Sequence, residues 1–239
     1  MGKTNIEWVR NPDGSQGYTI NPVKGLCPMA CPYCYARRMY KRFKWNPEIR
    51  FENPPIKMPP KGSRIFIGST MELFGDWIKS EWLEWLFGSI CEHKKYTFIF
   101  LTKCPQNLIK WSPFPGNCWV GVTATDYWKY VDACNYLSQV KAVVKFLSLE
   151  PLLSWDENPQ HFFKGSGINW VIIGQQTPVS AKTQPKIEWV RQIVEAAGKA
   201  EIRVFLKDNL DPLLRTTDGQ IPTGLCDNYG HTLRQEMPK

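Results

Sequence analysis

The chain has 239 residues, of which 43% are apolar, 22% charged and 13% aromatic. That composition excludes a disordered or low-complexity protein and is enough for a sizeable core. The net charge is +8, so acidic partners such as nucleic acid come into question. No run of about 18 apolar residues is present, so no membrane span is expected. The opening residues GKTNIEWVRNPDG lack an apolar leader core, which points to the cytoplasm. There thiols stay reduced, and eight cysteines read as metal or catalytic sites rather than disulfides.

Short β-rich runs alternate with helical patterns along the chain. The runs are YTINPV (18–23), RIFIGS (64–69), YTFIFLTK (96–103), CWVGVTA (118–124), VVKFLSLE (143–150), NWVIIGQ (169–175) and IRVFLK (202–207). Several are continuously apolar, the pattern of strands covered on both faces of a parallel sheet. Helices are predicted over 34–44, 76–94, 126–139 and 186–199, with Gly198 as a C-cap signal for the last. Repeated β–α units imply right-handed crossovers. The fold class expected is α/β: a partial or near-complete parallel β/α (TIM-like) barrel of six to seven strands. It would form one domain over 1–239, with 208–239 a mostly irregular extension. No G-x-G-x-x-G follows a strand, which argues against a dinucleotide fold. Proline-rich stretches at 51–62, 111–117 and 152–167 mark loops. In such barrels chemistry collects at the C-terminal strand ends, and polar residues recur there: Ser69, Thr70, Glu72, Thr102, Lys103, Cys104, Thr123, Asp126, Ser148, Glu150, Gln175, Gln176, Thr177, Lys207 and Asp208.

The stretch GLCPMACPYCYA places Cys27, Cys31 and Cys34 at C-x3-C-x2-C spacing. On a helix these would share a face, but Pro28 and Pro32 oppose a regular helix, where an interior proline costs about 3 kcal/mol. A loop whose thiols converge is the better reading. Structural zinc usually takes four ligands in two pairs. No second pair exists, and the fourth would have to come from His93, His161, His231 or one of the scattered cysteines. An iron–sulfur cluster, held by thiolates, fits three thiols better.

Between Tyr35 and Arg64 nine basic residues (Arg37, Arg38, Lys41, Arg42, Lys44, Arg50, Lys57, Lys61, Arg64) face only Glu48 and Glu52. Tyr35, Tyr40, Phe43, Trp45 and Phe51 interleave with them. Segment 35–64 could therefore track a phosphate backbone and stack bases; the plainer reading is a solvated basic helix and loop.

The motif CPMACPYC, with Tyr33 before the third cysteine and a strand before the loop, resembles the signature of radical S-adenosylmethionine (radical SAM) enzymes. Together with NIEWVRN, IFIGSTMELFGDWI, TFIFLTKCPQNL, NCWVGVTATD, VKFLSLEPLL, INWVIIGQQT and EWVRQIVEAAG, it resembles a phage-associated, three-cysteine-motif branch of that superfamily over nearly the whole chain. Two departures stand out. Relatives usually carry Arg where this chain has Cys104, and a Gly-Glu pair where it has Gly174-Gln175.

The resemblance implies a radical SAM core whose 4Fe-4S cluster is held by Cys27, Cys31 and Cys34. It also implies S-adenosylmethionine, cleaved reductively so that a hydrogen atom is abstracted from a substrate. Contacts with SAM would come from Tyr33, Gly68, Ser69, Thr70, Lys103, Thr123, Ser148, Glu150, Gly174 and Gln175. Cys104 would be a candidate hydrogen donor, and Lys207 a substrate or phosphate contact, or merely a solvated end. Expected partners are a one-electron reductant of the flavodoxin or ferredoxin type, nucleic acid along 35–64, and a partner protein. The substrate expected is nucleic acid, a nucleotide or a base; a peptide is the alternative. The rival reading is a non-catalytic nucleic-acid-binding protein with a zinc or structural cluster site.

Overall fold

A computed structural model describes residues 1–52, 58–155, 163, 165–227 and 230–238. Lys57 of the basic segment and His161 lie outside the described residues. Internal contacts divide the chain into two compact units, Met1–Val120 with Lys141–Val143, and Gly121–Val140 with Val144–Lys239.

The first unit contains β1 (Gly2–Lys3), β2 (Tyr18–Ile20), β3 (Val23–Lys24), α1 (Tyr35–Phe43), β4 (Arg50–Phe51), β5 (Arg64–Ile67), α2 (Ser80–Glu92), β6 (Thr97–Thr102) and the first half of β7 (Cys118–Thr123). Its main sheet runs β1-β2-β5-β6-β7. β1 lies antiparallel on β2, whereas β2 pairs parallel with β5, and β5 with β6. The run predicted as one strand over 18–23 is two. Pro22 cannot donate to a ladder, so β2 ends at Ile20, and β3 pairs separately with β4. All four residues of β5 and all six of β7 are buried, as continuous apolar runs require. Each such aliphatic or aromatic side chain contributes about 1.5–3 kcal/mol by leaving water. The helix predicted from residue 76 begins at Ser80, because Gly75 to Ile78 closes a turn of its own (Ile78 N–H to Gly75 C=O, 2.9 Å).

The second unit takes the rest of β7, then α3 (Tyr127–Gln139), β8 (Val144–Leu149), β9 (Trp170–Ile173), α4 (Ile187–Lys199) and β10 (Arg203–Leu206). β9 pairs parallel with both β8 and β10. Trp170 is fully buried, with Phe146 and Phe205 at ring distances of 5.4 and 6.1 Å. Gly121 makes room for the Phe146 ring: a Cβ there would stand 2.3 Å from it. Among the described residues the tail after β10 carries a 3-10 turn (Asp208–Leu210), a helical turn (Asp211–Leu214) and two isolated bridges, Cys226 with Leu233 and Phe205 with Gln235. Its last part lies along β10, with Leu206 N–H on the Arg234 carbonyl (2.8 Å) and Glu236 N–H on that of Val204 (2.9 Å).

The seven β-rich runs and four helices expected from the sequence are all present, within a parallel α/β arrangement in each unit. Gly198 is not the C-cap: α4 continues through Lys199 and is capped at Ala200, with Glu201 in the left-handed region (φ 56°). Among the described residues no helix is long and apolar enough to cross a membrane.

Candidate functional site

The cysteine loop is two successive turns. Ala30 N–H reaches the Cys27 carbonyl (3.4 Å) and Cys34 N–H that of Cys31 (3.0 Å). Pro28 and Pro32 therefore fall at the second position of each turn, where their fixed φ is favourable. A proline in each gap thus shapes the loop and keeps the cysteines off a helix. The loop ends by starting one: Cys34 is the N-cap of α1, its Sγ accepting the Arg37 N–H at 3.4 Å. Arg37 reaches back and donates to the Cys27 carbonyl (2.8 Å), clasping the first turn to the helix. Behind the loop, Gly25 adopts φ 120°, and a Cβ there would meet the Glu48 carbonyl at 2.6 Å. Gly25 N–H donates to the Tyr40 hydroxyl (2.8 Å).

All three thiols are half-buried. Burial pushes the Cys27 thiol above its ordinary range, and the charges of Glu72 and Cys34 push the same way against backbone hydrogen bonds that lower it. Among the described residues no three His, Cys, Asp or Glu side chains are gathered closely enough to hold a metal ion. The donor set, three soft ligands on one half-buried loop, still matches the thiolate chemistry of an iron–sulfur cluster.

Next to this loop stand the ends of β2, β5 and β6, three neighbouring strands of the same unit. After β2, Asn21 accepts from Thr70 N–H (3.1 Å) and donates to the Ser69 hydroxyl (3.1 Å). Tyr35 O–H donates to the Ser69 carbonyl (2.6 Å), so α1 also holds this segment. Gly68 takes φ 80° at the turn. Glu72, buried, accepts from the Thr102 hydroxyl (2.6 Å), Lys103 N–H (2.7 Å) and Phe74 N–H (3.1 Å). Thr102 in turn accepts Cys104 N–H (2.9 Å). The Cys104 Sγ lies 3.9 Å from the Met29 sulfur, in the middle of the C-x3-C gap. Its thiol is pushed up to about 12 by burial first, then by Glu72, Asp76 and Cys27, with Lys103 pulling the other way. So Ser69, Thr70, Lys103, Cys104 and the three cysteines belong to one neighbourhood, and half-buried Tyr33 lies within the second turn of the loop.

The remaining expected contacts form a second cluster, at the ends of β7 to β10 in the second unit. Lys207 is paired with Glu150, their side chains only 14% and 24% exposed. Gly174 lies against both: a Cβ there would be 2.9 Å from the Lys207 chain and 3.3 Å from Glu150. Buried Gln175 donates through its amide to the Asn209 carbonyl, and Asn209 returns a bond to the Gln175 carbonyl (2.8 Å). Ser148 and Thr123 are buried, and among the described residues the Thr123 hydroxyl and the Gln175 side-chain oxygen have no hydrogen-bond partner.

A scan of family models matches residues 3–211 to a protein family of unknown function, DUF5131. The chain belongs to that family. No curated protein matches it. Among solved structures it is similar to a spore photoproduct lyase mutant with bound AdoMet and dinucleoside spore photoproduct, at 12% identity and a TM-score of 0.45. The likeness covers 80% of this chain and 63% of that one, so the chain spans less than two thirds of the length of the protein it matches.

Three polar residues escaped the sequence reading. Asn21 and Asn209 follow β2 and β10, and the strand-end rule that picked out Ser69 would have reached them. In the sequence Arg37 is one charge among several, and nothing local marks it as the clasp on Cys27. In the basic segment, Arg64 is buried, donates to the Arg10 carbonyl (2.7 Å) and covers the Trp119 ring at 4.7 Å. Arg50 is paired with Glu52 at 2.7 Å. Lys41, Arg42 and Lys44, on α1 and at its C-terminal end, are exposed, as is Lys61.

Proposed function

We propose that this protein is a radical SAM enzyme acting on nucleic acid, or on a nucleotide or base derived from it. The observation that carries the reading is the loop itself: C-x3-C-x2-C on two proline turns, directly after a strand and running into the N-cap of a helix. Cys27, Cys31 and Cys34 would hold a 4Fe-4S cluster, which when bound supplies one-electron reduction of SAM. The chain's own residues do the positioning. Arg37, Tyr40 and Gly25 fix the loop on α1, while Asn21 and Tyr35 fix Ser69 and Thr70 beside it. Glu72 anchors the Lys103 backbone and, through Thr102, that of Cys104. Contacts with SAM are assigned to Tyr33, Gly68, Ser69, Thr70 and Lys103; within the second unit, Thr123, Ser148, Glu150, Gly174 and Gln175 are assigned polar-ligand contacts of their own. The unpartnered buried oxygens of Thr123 and Gln175 suit a polar ligand. Cys104 is assigned the return of a hydrogen atom to a product radical, its S–H bond breaking to leave a thiyl radical, because its sulfur abuts the cysteine loop.

The test is anaerobic. Protein reconstituted with iron and sulfide is mixed with dithionite and SAM, and 5′-deoxyadenosine is measured by mass spectrometry. Production by the wild type and its loss in Cys31→Ala are expected; a protein that takes up zinc and no iron would sink the reading. Once a substrate is in hand, Cys104→Ala is expected to change the product distribution.

A further inference from the structure

Beside the cysteine loop, α1 and the residues after it form an open groove of about 420 Å³, lined by Leu26, Arg37, Arg38, Lys41, Trp45 and their neighbours Tyr40 and Pro47. That volume lies within the range of ligand sites, about 300–1,000 Å³. Among the described residues no carboxylate lines it, and three cations do. Its aromatic wall is Trp45, 44% exposed, stacked on Phe43 at 5.4 Å and held edge-on by Tyr40 at 5.2 Å. Arg42 lies over the far ring at 5.3 Å from Phe43. The floor is fixed rather than loose: Leu26 N–H donates to the Pro47 carbonyl (2.9 Å), and Gly25 N–H to the Tyr40 hydroxyl (2.8 Å). Lys44 caps the helix in the left-handed region, φ 50°, and so turns the chain to bring Trp45 back against α1.

We infer that this groove binds single-stranded nucleic acid, with an unpaired base against Trp45 and phosphates on Lys41, Arg38 and Arg37. Charge complementarity favours a polyanion. An exposed, rigidly held indole beside those cations favours one with flat unstacked rings, which a duplex does not offer. Leu26 and Arg37 belong both to the groove and to the cysteine loop, since Leu26 precedes Cys27 and Arg37 holds its carbonyl. A strand in the groove is thereby delivered next to the three thiols. The inference rests on the nucleic-acid reading given above and names where on the chain it happens.

The experiment measures binding without any cluster, so its failure and that of the radical reading are separable. Fluorescence anisotropy of labelled dT15 and U15 is followed against the unreconstituted full chain at low salt, and then along a salt series. Three cations on single-stranded phosphates give a log–log salt slope of about −2, and Lys41→Gln should flatten it by about 0.7. Trp45→Ala should weaken binding at least about fivefold, whereas Trp45→Phe should keep most of it. Trp128→Ala, which removes the most exposed large hydrophobic side chain described (74%), should change nothing. Circular dichroism melts confirm that each variant is folded; should Trp45→Ala not fold, Trp45→Phe and Lys41→Gln carry the test through base-stacking and slope alone. Absence of binding by both oligonucleotides, or binding indifferent to Trp45 and Lys41, overturns the inference. So does displacement by heparin combined with no Trp45 dependence, which would mark a plain polyanion surface. A preference between dT15 and U15 identifies which strand the groove takes.

Discussion

Asp126 shows how one side chain can serve both an element and a pH response. It is the N-cap of α3, accepting Lys129 N–H at 3.0 Å, and its carboxylate is also paired with the Lys129 ammonium. Burial alone would raise its pKa, but the hydrogen bonds and charge of Lys129 outweigh burial and hold it below the usual carboxylate range. A folded pKa below the unfolded value of about 3.9 means stability that is present above that value and lost as pH falls through the folded one. Urea midpoints measured from pH 6 down to pH 2.5 should therefore fall less steeply in Asp126→Asn, which keeps the cap but not the charge. At neutral pH, Asp126→Ala should cost about 1 kcal/mol. Parallel pH curves for wild type and Asp126→Asn would refute the assignment. Glu72 works differently, as a buried acceptor for three donors on two loops. Its role was visible in the sequence only as a polar residue after a strand, because partners 30 and 31 positions away carry no local mark.

At the scale of elements, helix ends account for most differences between expectation and structure. The expected stop at Gly198 is overridden two residues later by a full Schellman arrangement, with Ile202 N–H on the Ala197 carbonyl (2.8 Å) and Glu201 N–H on that of Gly198 (3.1 Å). The left-handed position falls to Glu201, whose Cβ makes that conformation costly, by about 1–2 kcal/mol. Glu201→Gly is thus expected to raise stability by about 1 kcal/mol, read as an increased Tm, and a lowered Tm would count against it. The proline turns of the cysteine loop, in contrast, were legible in outline. Two prolines ruled out a helix, although only the hydrogen bonds showed a separate turn for each.

At the scale of the whole molecule, Cys27, Cys31, Cys34, Asn21, Glu72 and Cys104 all belong to the first compact unit. A group that binds the folded chain and not the unfolded one stabilises by mass action. Loading with iron and sulfide is therefore expected to raise the Tm and to slow amide exchange around residues 25–44 and 68–76, with little change in α4 and β10. Uniform slowing, or none, would count against a cluster on this loop.

The sequence by itself determined the seven β-rich runs, the four main helices and the spacing of the three cysteines. Apolar runs mark buried strands, prolines break helices, and three thiols at fixed spacing need no tertiary information to be recognised. Tertiary structure alone decided the rest: that Met29 brings Cys104 to the loop, that Glu150 takes Lys207, that Arg64 is buried while Lys41 is exposed. Those pairings join residues up to 75 positions apart. Nothing in a local pattern encodes them, because they follow from which strand ends the parallel sheet sets side by side.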